Sequence, residues 1–142
     1  MFCSKILVAY DGSRPAKKAL DKALALLSLD NSITVNIVHI INMHNSVHTV
    51  MSEMPSIENI FYQEGELTIK DARDMVGEYS ANCTFKLLTG TPAAAILAYA
   101  QQNSCDLIIM GSRGLGGLKE FLGSVSHTVV HEAQVPVLII KA

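Results

Sequence analysis

A chain of 142 residues, 49% of them hydrophobic, is long enough for one domain with a proper core and too short for two, so a single unit over residues 1–142 is expected. Its 11 basic and 13 acidic residues give a formal charge of −2, which leaves no basic patch for a nucleic-acid backbone and excludes nucleic acid from the expected partners. No apolar stretch nears the roughly 20 residues of a bilayer span, the first residues run straight into a strand pattern rather than a signal peptide, and three widely spaced cysteines without a C-x-x-C pair fit reduced thiols, so the expected setting is the cytoplasm with no membrane contact.

In chain order, KILVAY over Lys5 to Tyr10 is an apolar strand stopped by the turn Asp11-Gly12-Ser13. Ala16, Ala19, Leu20, Ala23, Leu24 and Leu27 then recur at helical spacing, with Ser13 as N-cap and Pro15 in the first turn, where its missing N–H costs nothing. The β-branched run Ser32 to Ile41 predicts a second strand, and Asn42 to Ser56 reads as a long loop past a strand end, where ligands often sit. A weaker helical pattern covers Ile57 to Tyr79, with Gly65 arguing against one unbroken helix. Cys83 to Leu88 is a third strand, and Thr91 caps an Ala- and Leu-rich helix over Ala93 to Asn103 with Pro92 at its first position. Asp106 to Gly111 is a fourth strand, Ser124 to Ala133 a helix, and Val135 to Lys141 a fifth strand whose Pro136 suits an edge.

Alternating strands and helices of these lengths imply right-handed crossovers and an α/β fold with a five-stranded parallel sheet covered on both faces. Such sheets bind ligands at the carboxyl ends of their strands, where the winding direction switches, and Asp11 and Gly111 both stand at strand ends. The segment DLIIMGSRGLGGLKEFLGSV, Asp106 to Val125, carries the strongest chemistry: a buried strand empties into Gly111, Gly114, Gly116 and Gly117, and Gly123-Ser124 opens a helix. Glycines allow positive φ and close ligand approach, and the unpartnered amides and dipole of a helix start favour an anion. This pattern predicts a nucleotide phosphate site.

Other residues read more plainly. His44 and His48, and His127 and His131, are spaced one helical turn apart, but neither pair has a companion ligand at metal spacing, so solvated side chains are expected. Cys3, Cys83 and Cys105 lie in or beside strands and read as buried, inert thiols. Met110 reads chiefly as packing at a strand end. The chain holds no G-x-S-x-G elbow, no Walker lysine and no Cys/His pairing, which points to a binding module and not an enzyme, with slow or partner-stimulated ATP hydrolysis as the upper bound of expected activity.

With KILVAYDGS at one end and TGTPAAAILAYAQQNSCDLIIMGSRGLGGLKEFLGSVSHTVVHEAQVPVLII at the other, the chain resembles the universal stress protein family. The resemblance implies a three-layer fold like that of the adenine-nucleotide α-hydrolases, strand order 3-2-1-4-5, a homodimer through the last strands and, in one subclass, bound ATP with Mg²⁺ or Mn²⁺. That subclass has Gly, two residues, Gly, nine residues, then Gly-Ser or Gly-Thr; here Gly111, Gly114 and Gly123-Ser124 match, with a spacer, Leu115 to Leu122, of eight. Carried over, Ala9 and Asp11 border the adenosine, Ile40 offers main-chain bonds to adenine, Met110 and Gly111 line the base and ribose, and Gly114, Gly123, Ser124 and Val125 surround the phosphates. Arg113 has the reach for a phosphate. The competing readings are a nucleotide-hydrolysing or AMP-transferring enzyme, and a stress protein that binds no ATP because of the shortened spacer.

Overall fold

The computed structural model describes residues 2–42, 55–113 and 122–141. Strand β1 (Lys5–Ala9) leads to helix α1 (Arg14–Leu29), β2 (Thr34–Asn42), α2 (Pro55–Val76), a 3₁₀ turn (Gly77–Asn82), β3 (Cys83–Gly90), α3 (Pro92–Gln102), β4 (Leu107–Gly111), α4 (Ser124–Glu132) and β5 (Val137–Ile140). The sheet runs β3-β2-β1-β4-β5, the order the resemblance implies, with every pair parallel, as the alternation predicts. Winding reverses between β1 and β4, the neighbours at the centre.

Helices cover the two faces separately. On one, Ala16, Ala19, Leu20, Ala23 and Leu27 of α1 and Ala72 and Val76 of α2 pack on Ile6, Val8, Val35, Ile37 and Ile109. On the other, Ala93, Ile96 and Ala100 of α3 and Val129 of α4 pack on Leu7, Val38, Ile108 and Met110. Strand β4 is buried at every position, as expected of a central parallel strand. Burying each such Ile or Leu side chain contributes about 1.5–3 kcal/mol.

Local chemistry sets the boundaries. Ser13 caps α1 as expected, its hydroxyl accepting from the Ala16 N–H at 3.3 Å. Thr91 occupies the N-cap position of α3 without a side-chain hydrogen bond, so its expected capping bond is absent and the start is set by Pro92. Helix α2 corrects the sequence reading twice. It starts at Pro55, inside the expected loop, and it passes unbroken through Gly65, ending only at Val76 before Gly77, whose φ of 49° takes the left-handed conformation that terminates helices. Gly65 is there for room: a Cβ would lie 2.8 Å from Leu87 Cδ1 and 3.0 Å from Ile41 Cδ1, so the glycine lets α2 sit close on β2 and β3. The remainder of the expected loop, 43–54, and with it His44 and His48, lies outside the described residues.

Two polar fixtures complete the frame. Asp106, just before β4, does not extend the strand; its carboxylate accepts from Ser4 N–H at 2.8 Å, the Ser4 hydroxyl at 2.7 Å and Lys5 N–H at 3.0 Å, tying the start of β1 to β4. On the α3 face, Asn36 Oδ1 accepts from Thr84 at 3.0 Å and Tyr99 at 3.1 Å, satisfying a buried amide within the sheet. Pro136 precedes the edge strand β5 and contributes only its carbonyl, which accepts from Ile108 N–H at 3.0 Å.

Candidate functional site

A cavity of about 560 Å³ opens at the carboxyl ends of β1, β2 and β4. Its volume is in the range of small-molecule sites. Ala9 and Asp11 line it from the end of β1, Ile40 from β2, Met110, Gly111 and Arg113 from the end of β4, and Gly123, Ser124 and Val125 from the start of α4. Nine of the ten residues singled out in the sequence therefore share one wall-to-wall space; the tenth, Gly114, lies outside the described residues, as do Gly116 and Gly117.

Three helices bring N-terminal residues to this space, α1 through Ser13 and Ala16, α3 through Pro92, which has no N–H to offer, and α4 through Ser124, and α1 and α4 differ in how their ends are satisfied. Asp11 Oδ1 accepts from Ser13 N–H at 2.9 Å and the Ser13 hydroxyl accepts from Ala16 N–H, so α1 is capped by its own chain. Helix α4 has Gly123 at its N-cap, with no side-chain bond to the first turn. Gly123, Ser124, Val125 and Ser126 line the cavity, and a helix start without a side-chain cap, with the positive end of the dipole behind it, is an arrangement that attracts an anion.

The strand-to-helix connection is fastened at its root. The Ser112 carbonyl accepts from Gly123 N–H at 2.7 Å and from the Ser126 hydroxyl at 2.6 Å. Ser126, only 2% exposed, is a positioning residue that sequence reasoning missed; its signal was weak, a serine one turn inside an amphipathic helix. The expectation that Gly111 supplies positive φ is corrected: it is an ordinary strand residue, and what it provides is space, because a Cβ would come 2.6 Å from Pro15 Cβ and 3.0 Å from the Pro15 carbonyl carbon. Among the described residues the turn glycine with positive φ beside the cavity is Gly12, at 80°, between the lining residues Asp11 and Ser13. A Cβ on Gly123 would press to 3.2 Å from Arg113 Cα, so this glycine too is chosen for close approach.

Sequence reasoning also missed Tyr10, His39, Asn42, Pro92 and Ile96, all on the cavity wall. Ile96 and Pro92 arrive on α3 and add an apolar flank to the cavity. Tyr10 is anchored beneath the site: its hydroxyl donates to Asp71 on α2, and Asp71 lies 3.7 Å from Lys17 Nζ on α1. Burial, followed by the hydrogen bond and charge of Asp71, raises the Tyr10 pKa far above the ordinary phenol, so it is a structural donor at any working pH. His39 Nδ1 lies 2.9 Å from the Tyr10 carbonyl oxygen.

The remaining candidates behave as buried or solvated groups. Cys3, Cys83 and Cys105 are free, and burial raises all three thiol pKa values, the mark of unreactive thiols. His127 and His131 are exposed and stack with ring centroids 6.4 Å apart. Among the described residues no three His, Cys, Asp or Glu side chains gather as a metal site. Among the same residues no helix is long and apolar enough to cross a membrane.

A parallel 3-2-1-4-5 sheet with a cleft at its central switch point defines an α/β domain of the adenine-nucleotide-hydrolase-like kind. The family model of the universal stress proteins matches residues 3–141, and the chain belongs to that family. It is 33% identical to universal stress protein YxiE of Bacillus subtilis, over 97% of this chain and 99% of the relative. It is 32% identical to stress response protein NhaX of the same organism, over 96% and 97% of the two chains. Among solved structures, MJ0577 superposes with a TM-score of 0.87 at 27% identity, covering 100% of this chain and 98% of the other; the universal stress protein of that name comes from Methanocaldococcus jannaschii. The same fold occurs in a universal stress protein from Archaeoglobus fulgidus solved in complex with dAMP (TM-score 0.71, 23% identity, 99% and 100% coverage) and in one solved with cAMP (TM-score 0.73, 21% identity, 99% and 98% coverage).

Proposed function

We propose that this chain is a nucleotide-binding stress-response module that holds ATP, with Mg²⁺ or Mn²⁺, in the cavity at the switch point and acts as a homodimer through β5. The observation that carries the reading is the contrast between two of the helix starts at the cavity: α1 is closed by Ser13, whereas α4, whose first residues line the same cavity as Gly111 and Asp11, has no side-chain cap. A polyphosphate fits against α4, a ribose against Asp11, whose Oδ1 is engaged in the turn while the residue lines the cavity, and an adenine ring between Met110 and the end of β2. The family relatives solved with dAMP and cAMP support an adenine nucleotide in this fold. A divalent metal would be held by the phosphates, and Asp11 is the carboxylate among the described cavity-lining residues that could help hold it. The three free, buried or half-buried thiols favour a reducing cytoplasm, and the whole of 1–142 acts as one domain.

Mass spectrometry of the denatured purified protein for co-purified nucleotide, followed by calorimetric titration of ATP with and without magnesium and an assay of phosphate release, tests this. Tight binding with little release is expected. Rapid release would mark the chain as a nucleotide-hydrolysing enzyme. The eight-residue spacer favours a second reading, a stress protein that binds no ATP; absence of any heat of binding would establish that one instead.

A further inference from the structure

Strands β1 and β2 pair in register only as far as Ala9↔Val38, while β2 and β3 stay paired to Asn42↔Gly90. The end of β2 therefore projects past β1, held straight from behind by β3. Thr34 N–H donates to Ser4 O, and Val38 O accepts from Tyr10 N–H at 2.8 Å, so the even-numbered residues of this strand turn their main-chain groups toward β1. Strand alternation puts the N–H and C=O of Ile40 on that same side. In a continued parallel ladder the Ile40 N–H would donate to the Tyr10 carbonyl. Among the described residues that bond is not formed, and the Tyr10 carbonyl instead faces His39 Nδ1 at 2.9 Å. A carbonyl has no proton to give, so Nδ1 carries the hydrogen and donates it.

We propose that His39 is a positioning residue that ends the β1–β2 ladder: its Nδ1–H occupies the Tyr10 carbonyl and thereby reserves the Ile40 peptide edge for the base of the bound nucleotide. This rests on the nucleotide reading above. The edge offers a donor and an acceptor side by side, the complement of a 6-aminopurine, whose ring N1 accepts and whose exocyclic amine donates. Tyr10 is held by two further anchors, its N–H bonded to Val38 O and its hydroxyl bonded to Asp71, which keep its carbonyl within reach of His39 Nδ1. The adjoining Asp11 inherits the fixed peptide plane, and with it a defined approach to the cavity.

The test compares wild type with His39→Leu, which removes the donor, and His39→Asn, whose side-chain amide nitrogen replaces Nδ1. With ATP and AMP as titrants, His39→Leu should lose about tenfold in affinity, the size of one main-chain hydrogen bond to the base, and His39→Asn should stay within about threefold of wild type. Amide hydrogen exchange in the free protein supplies a reading that needs no ligand: Ile40 should exchange faster than Val38 in wild type and become protected in His39→Leu as the ladder closes by one bond. Equal affinity in wild type and His39→Leu, or an Ile40 amide already protected in free wild type, overturns this inference and leaves nucleotide binding standing. No binding of either nucleotide by wild type overturns both. If His39→Leu does not fold, nitrogen shifts of the wild-type imidazole decide: a ring protonated at Nε2 alone defeats the proposal.

Discussion

Gly111 shows how a residue type can be legible while its purpose is not. Read alone, a glycine after an apolar strand signals a turn with positive φ, yet the space it vacates is taken by Pro15 of α1, a residue far away in sequence whose approach no local pattern announces. Gly111→Ala should cost about 1–3 kcal/mol by overpacking, measured by urea denaturation, because the nearest atoms include the Pro15 main chain, which has little freedom to retreat. His39 was illegible for a related reason: histidines were weighed by their spacing to other histidines, whereas its partner is a main-chain carbonyl 29 residues earlier. Asp106 makes a claim about pH. Burial works to raise its pKa, but the bonds from Lys5 N–H, the Ser4 hydroxyl and Ser4 N–H outweigh it, leaving the carboxyl below its ordinary value. A depressed folded pKa contributes stability that is present above the unfolded value, near 4, and is lost as pH falls through the folded value. Asp106→Asn should therefore destabilise the protein near neutrality, and the gap to wild type in thermal melting should narrow on acidification below about pH 4; a gap independent of pH would refute the assignment.

At the scale of elements, the five strands and their common direction followed from alternating strand and helix periods, whereas their order in the sheet came from the resemblance to the family and not from periodicity. Helix ends were less legible because they depend on contacts made across the fold. Gly65 is the clearest case: propensity alone predicts a break, and close packing on Ile41 and Leu87 overrides it. Gly65→Leu should lower the stability of the protein by about 1–3 kcal/mol, seen as a lower denaturation midpoint, by levering α2 off β2 and β3. The mouth of α4 gives a cleaner functional test. Ser124→Asp adds a carboxylate at a helix N-terminus, where the dipole favours it, so the fold should hold or gain slightly. The same charge opposes a phosphate, and ATP affinity should fall at least about tenfold, or about 1.4 kcal/mol, by calorimetry. Unchanged affinity would remove the phosphates from this helix.

Taken whole, the molecule leaves β5 as one edge of the sheet, with Leu138 41% exposed on it and Val130 of the adjacent α4 45% exposed. An apolar edge strand invites pairing with another chain, which is where the proposed homodimer forms. Leu138→Lys should shift the sedimentation profile from dimer to monomer, since a like charge would face itself across the twofold axis; a wild-type monomer would end that proposal. The cavity was largely readable because its walls are strand ends and helix starts, which leave signatures in glycine and turn residues, while its apolar flank on α3 was not, because Ile96 there looks like any core position. The fastening of Ser112 to both Gly123 and Ser126 means that α4 takes its register from β4 and not from the length of chain between them. Insertions or deletions within 115–121 then leave the root of α4 where it is, at a closure cost of only about 0.6 kcal/mol per doubling of length, so a change of spacer length acts on a ligand through the groups that the spacer itself supplies and not through a shift of the helix start.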